Sequence, residues 1–268
     1  MSGRVAAVFF FTAFIHLVDT LAYAVRPAGV QTGRLATSIS LFNVLALSSR
    51  TANLIQLPLL GSLVDLALLR GDIHSLEREF RGFLLAATLG ALLGAFFIPS
   101  FVRIFTAAIR RFDRAGSVLP LIFSLLKPDT LKAAWQKVKP PTPKTLSRLT
   151  FSGLPWGFLL LNILITAIYT TGVPAALYAG SLVPHFRTTA SQLSGVINGG
   201  ATVLFVLFVD PVAALITDQV LEGKRPQGQV YAMAALLAAT KIAGTLLAQL
   251  IFRPAVFLVV EVTHLIVR

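Results

Sequence analysis

Ile15–Asp65, IHLVDTLAYAVRPAGVQTGRLATSISLFNVLALSSRTANLIQLPLLGSLVD, joins an apolar segment, a basic turn and a second apolar segment carrying Arg50. An echo runs from Ile168 to Asp218, IYTTGVPAALYAGSLVPHFRTTASQLSGVINGGATVLFVLFVDPVAALITD. Tyr23-Ala24 answers Tyr178-Ala179, Asn43 answers Asn198, and the pair Pro58 and Asp65 answers Pro211 and Asp218. Downstream, Leu84-Leu85-Ala86-Ala87-Thr88 recurs as Leu236-Leu237-Ala238-Ala239-Thr240, and Pro99 has its counterpart in Pro254. All these anchors keep their order at separations of 152 to 155 residues. Apolar segments align by chance, so the weight rests on the Pro-x6-Asp pair and the five-residue identity. A recurrence at fixed separation points to a duplicated unit; the plainer alternative is two similar apolar helix triplets.

Composition sets the class. With 56% hydrophobic and 13% charged residues and a mean hydropathy of +0.80, the 268-residue chain carries more apolar surface than a water-soluble domain buries. Several windows exceed the roughly 18 apolar residues of a spanning helix, and the strict alternation of a membrane barrel is absent. The expected fold is therefore an all-α integral membrane protein of about six transmembrane helices. There is no cysteine, hence no disulfide and no thiolate metal site. The apolar run that opens the chain continues past Tyr23 without a small-residue cleavage site, so it reads as a retained first span.

Six spans are expected, near 5–25, 35–57, from 83 onward, 154–178, 189–209 and 229–252. Proline supplies the predicted boundaries, since its ring and missing N–H oppose helix continuation. Span one should end at Arg26-Pro27 and span two at Pro58, with PLLGSLVDLALL as a short interfacial helix. RGDIHSLEREFRG then reads as a polar connector. Pro99 should kink span three or turn its end into the interface, and Gly172 with Pro174 should bend span four. Asp210-Pro211 resembles an N-cap with proline at N1 of another short helix. Arg253-Pro254 should break span six, leaving a tail that continues the helix, lies in the interface or re-enters.

Residues 1–112 thus form a first three-helix repeat, 113–152 a basic linker and 153–268 a second repeat. From Arg110 to Arg148 there are nine Lys or Arg against Asp113 and Asp129. The positive-inside rule places this linker in the cytoplasm and both termini outside. An odd number of spans per repeat threads the halves through the bilayer in opposite directions. That is the inverted-repeat plan of many transporters, with the site near the midplane.

Polar residues inside the spans mark that site. His16, Asp19, Tyr23 and Arg26 follow one another at steps of three and four, forming one stripe on span one. Asn43, Arg50 and Asn53 share a face of span two, and Lys241 stands near the middle of span six. An ionised side chain at bilayer depth costs about 2.5 kcal/mol or more, so each needs a partner or a wet cavity. Asp19 and Lys241 match in depth to within about 6 Å, which makes a structural ion pair between them one reading. Arg50 has no acid at its depth, because Asp19 should lie roughly 12 Å lower. Arg50 and Lys241 therefore favour an anionic ligand. Arg26 and Arg34 sit at the predicted cytoplasmic mouth, either recruiting that ligand or fixing topology. His16, Asp19, Tyr23, Asn43, Asn53 and Asn198 are the candidate cavity-lining or coupling residues. Arg253 and Glu261 are expected to snorkel or pair on the outer side.

No Walker loop, His-Glu-x-x-His motif or Gly-x-Ser-x-Gly elbow is present, so neither catalytic residues, a metal site nor a cofactor is expected. Lys132, Lys137 and Lys139 around Trp135 suit a linker helix lying on anionic membrane lipid. The positive-inside rule accounts for the net charge of +12 without nucleic acid.

The stretch from Ile15 to Asp65 resembles the opening of the Amj family, the bacterial alternate lipid II flippases, and length and hydropathy are similar along the whole chain. The resemblance implies a multi-pass protein of the bacterial cytoplasmic membrane, active in peptidoglycan biosynthesis. Its substrate would be an undecaprenyl-diphosphate-linked precursor carried from the inner to the outer leaflet. It assigns no functional residues. On charge position alone, Arg26 and Arg34 are expected to recruit the diphosphate and Arg50 and Lys241 to hold it. The alternatives are a proton-coupled small-solute or ion transporter using His16 and Asp19, and a non-catalytic scaffold of wall synthesis. A homo-oligomer is compatible with either.

Overall fold

A computed structural model describes residues 3–115 and 149–268, with Val138 and Ser147. Most of the basic linker, including Lys132, Trp135, Lys137 and Lys139, lies outside the described residues. Among the described residues there are eight α-helices and no strand: α1 (Gly3–Leu21), α2 (Val25–Thr32), α3 (Leu35–Arg70), α4 (Ile73–Ala115), α5 (Trp156–Leu182), α6 (Arg187–Leu204), α7 (Asp210–Leu221) and α8 (Gly228–Val267). A 3₁₀ turn at Ala22–Ala24 joins α1 to α2, and a π-helical segment at Phe205–Val209 joins α6 to α7. The helices compose six stretches long and apolar enough to cross a membrane. The expected all-helical class and span count hold.

The helix end expected at Pro58 and the break expected at Pro254 do not. Pro58 and Pro254 lie inside the continuous α3 and α8, and Pro99 and Pro174, where a kink or bend is expected, lie inside the continuous α4 and α5. In a bilayer an interrupted helix exposes backbone groups that find no water, so the helix continues and neighbours absorb the lost hydrogen bond. The short interfacial helix foreseen after Pro58 is the end of α3, and the tail after Pro254 takes the helical course. The polar connector shrinks to the turn at Gly71-Asp72, the rest being the first turns of α4. Arg26-Pro27 lies in the first turn of α2, where the proline displaces no needed donor. Asp210 does not cap: α7 follows the π-helical segment directly, and the Asp210 carboxylate pairs with Arg26 instead.

Gly33 (φ 66°) and Gly71 (φ 69°) reverse the chain after α2 and α3 in left-handed conformations that a side chain resists. At the second turn, Asp72 N–H donates to Ala67 O at 3.0 Å and the Asp72 carboxylate receives the Ser75 N–H at 3.0 Å. That bond holds the Asp72 carboxyl below its ordinary range.

Small residues set the closest helix approaches. A Cβ at Gly94 would lie 2.6 Å from Thr20 Cβ, pressing α4 on α1, and one at Gly244 would lie 2.6 Å from Thr166 Cβ, pressing α8 on α5. The first and third long helices of each half therefore meet through glycine set against threonine.

One apolar cluster joins both halves near the chain ends, packing Val8, Leu63, Phe80, Tyr178 and Phe252. Across its flank Glu77 accepts from Arg253 Nε at 2.9 Å and Nη2 at 3.2 Å, and from Arg81 Nε at 3.1 Å. Arg253 thus pairs with Glu77 on α4. Two further clusters lie toward the linker end, one centred on Phe158, Val209, Ile216 and Met233, the other on Ala28, Leu41, Phe105 and Ile109. The polar residues of mid-α1 and mid-α3 fall between these apolar layers.

Candidate functional site

Between the layers lies a cavity of about 530 Å³. The α1 stripe contributes Thr12, His16 and Asp19, α3 contributes Ser49, Arg50, Asn53 and Gln56, and Tyr169, Thr170 and Asn198 close it from α5 and α6. A second cavity of about 210 Å³ shares His16, Asp19, Ala46, Tyr169 and Thr170 with the first and adds Tyr23, Asn162 and Lys241. Of the residues singled out in the sequence, the fold brings together Arg50, His16, Asp19, Asn53 and Asn198 at the larger cavity and Tyr23 and Lys241 at the smaller.

Three predicted residues lie elsewhere. Asn43 is exposed and lines neither cavity, although Asn198, its counterpart in the echo, lines the larger. Arg26 pairs with Asp210 at the linker end and is outside both linings. Arg34 stands immediately before α3 and also lies outside them.

The electrostatics follow from position. Lys241 Nζ lies 3.5 Å from Asp19 Oδ2, with 9% of the lysine side chain exposed and 29% of the aspartate. This is the pairing the depth match suggests. Arg50 is exposed to the cavity and, among the described residues, forms no ion pair. Two cations and one carboxylate therefore line the two neighbouring cavities, and the excess charge is Arg50. The walls add uncommitted polarity: His16 Nδ1, Thr170 Oγ1 and Asn198 Oδ1 are buried without a hydrogen-bond partner. Gln56 donates to Thr12 Oγ1 at 2.6 Å, and Asn162 Nδ2 to Thr240 Oγ1 at 2.8 Å, tying α3 to α1 and α5 to α8 around the site.

Gln56, Asn162, Tyr169 and Thr170 were not foreseen. A signal existed for each. Gln56 extends Arg50 and Asn53 by three residues on the same face, and Asn162, Thr166 and Thr170 recur at steps of four on α5.

Polar contacts join the two halves toward both ends of the bundle. Asp65 on α3 receives Arg187 Nη1 of α6 at 2.8 Å on the side of the termini. Toward the linker, Arg26 meets Asp210, and Gln31 bonds both Tyr231 and Thr106. Among the described residues no cluster of His, Asp and Glu has the make-up of a metal site.

The family model described as "Amj: Alternate to MurJ" matches residues 11–263. The chain belongs to the Amj family. Over 264 residues it is 36% identical to the protein named lipid II flippase Amj of Bacillus subtilis (strain 168), covering 98% of each chain. No solved structure matches. The Amj match reaches into all six apolar stretches and includes every residue lining the two cavities.

Proposed function

We propose that this chain is a lipid II flippase of the bacterial cytoplasmic membrane, a multi-pass transporter rather than an enzyme. It moves undecaprenyl-diphosphate-linked peptidoglycan precursor from the inner to the outer leaflet. Full-length identity of 36% to a protein of that name supports the substrate. The observation that carries the mechanism is Arg50, a cation on the wall of a polar cavity that forms no ion pair among the described residues.

A polyprenyl chain stays in the hydrocarbon, so only the diphosphate and the sugar-peptide need a polar path. An arginine there offsets the loss of hydration at the diphosphate, and its planar fork matches two phosphate oxygens. Lys241 supplies a second positive charge from the adjoining cavity. In this reading the linker faces the cytoplasm, Arg26 and Arg34 recruit the diphosphate there, and the Arg26–Asp210 and Asp65–Arg187 pairs open alternately. Outward movement of each negative charge across an inside-negative potential of 100 mV is downhill by about 2.3 kcal/mol, so no nucleotide is needed.

One observation supports opposed halves. Tyr23 and Tyr178, paired in the sequence echo, occupy the smaller cavity and the apolar layer near the termini.

The test is rescue of a bacterium depleted of its lipid II flippases, with outer-leaflet precursor labelled from outside the cell. Wild-type chain should restore labelling and Arg50→Gln should not. Rescue by Arg50→Gln would remove Arg50 from the mechanism, and absence of rescue by the wild-type chain would remove the assignment.

A further inference from the structure

Asp19 stands between the two cations of the site. It lines both cavities, whereas Arg50 lines only the larger and Lys241 only the smaller. An anion held by both cations must therefore pass the Asp19 carboxylate. Lys241 is the one ion-pair partner of Asp19 among the described residues, through a single contact at 3.5 Å, and no hydrogen bond from α1, α3 or α5 anchors the carboxylate. A carboxylate serving only to pin two helices is usually held by several donors, since a buried charge needs its lone pairs satisfied.

We infer that Asp19 is a built-in competitor for Lys241: it occupies the ammonium when the site is empty, yields it to the substrate's diphosphate, and retakes it to expel the substrate. The inference rests on the flippase reading above and assigns Asp19 to release rather than to binding. The carboxylate repels the diphosphate, so the chain without a competing anion should hold its substrate too tightly to turn over. The other titratable or charged groups around the carboxylate are His16 and Tyr23 on α1, Arg50 on α3, Tyr169 on α5 and Lys241 on α8. Of these only Lys241 and Arg50 carry the charge that an anion exchanges for.

Binding of undecaprenyl diphosphate to the full-length chain in nanodiscs tests this, together with transport of lipid II in proteoliposomes. Asp19→Asn should tighten binding about tenfold, the scale of one charge-assisted contact, and slow transport. Lys241→Gln should weaken binding. In the double variant Asp19→Asn/Lys241→Gln most of the tightening should vanish, because the charge competed for is gone. Equal or weaker binding by Asp19→Asn overturns the inference, as does tightening that persists undiminished in the double variant. Should Asp19→Asn fail to fold, Asp19→Glu serves: its longer reach strengthens the competitor, so it should weaken binding, and tighter binding would count against the inference. If the wild-type chain itself binds no undecaprenyl diphosphate, the flippase reading falls and the inference with it. Binding by the wild-type chain with no gain in Asp19→Asn sinks the inference alone.

Discussion

Lys241 Nζ on α8 lies 3.5 Å from Asp19 Oδ2 on α1, a contact that joins the last helix to the first across the middle of the bundle. Removing one partner of a fully dry pair costs about 3–5 kcal/mol. Here the aspartate opens on a cavity, so Asp19→Asn should cost less, about 1–2 kcal/mol. Thermal unfolding in detergent should show a lowered midpoint for Asp19→Asn and partial recovery in Asp19→Asn/Lys241→Gln. A double variant no more stable than the single one would argue that the pair does not set stability.

Arg50 separates function from folding. It has no ion pair among the described residues, so Arg50→Gln should leave stability within about 0.5 kcal/mol. Transport should fall by about tenfold or more, the loss of one charged contact to phosphate. Parallel melting curves and flux measurements check both halves of the expectation.

The Asp65–Arg187 pair offers a covalent test of movement. The chain has no cysteine, so Asp65→Cys/Arg187→Cys introduces a unique pair. Bridging the two with a short bis-methanethiosulfonate, which forms a disulfide to each cysteine and releases sulfinate, should stop transport, and reduction of those disulfides should restore it. Unimpaired transport with the bridge in place would exclude separation of α3 and α6 at this end.

Gly94 should tolerate no side chain. Its Cβ would meet Thr20 Cβ at 2.6 Å and Leu17 O at 2.9 Å, so Gly94→Ala must push α4 from α1. The expected loss is about 1–3 kcal/mol, read as a lower detergent melting point. Gly195→Ala, at a position with open space around it, should be close to neutral.

At the α3–α4 turn, Asp72 accepts the Ser75 N–H, and its carboxyl lies below the ordinary range in the folded chain. Its contribution is present above the unfolded value of about 3.9 and fades as pH falls through the folded one. Asp72→Ala should lower the melting point at neutral pH, and the gap should close in acid. A gap independent of pH would mean that the charge plays no part.

Class, span count and the polar stripes were legible because hydropathy and helical period are local properties. Arg50 and Asn53 on α3, and His16 and Asp19 on α1, face one cavity as their spacing requires. The helix end at Pro58 and the break at Pro254 were misread because the proline rule weighs water against helix, and a bilayer removes the water. Arg26 illustrates another gap. It sits on the same helical stripe as His16, but its partner Asp210 is 184 residues away, and no spacing rule finds such a contact. The Asp19–Lys241 pair was within reach because depth in a membrane is readable from position along each span.

The central claim is that cations in a mid-membrane cavity carry the diphosphate across. It is tested most directly by lipid II flux in proteoliposomes containing Arg50→Gln/Lys241→Gln, after thermal unfolding has confirmed that the variant is folded. The account predicts flux indistinguishable from protein-free liposomes. Flux equal to that of the wild-type chain would contradict it.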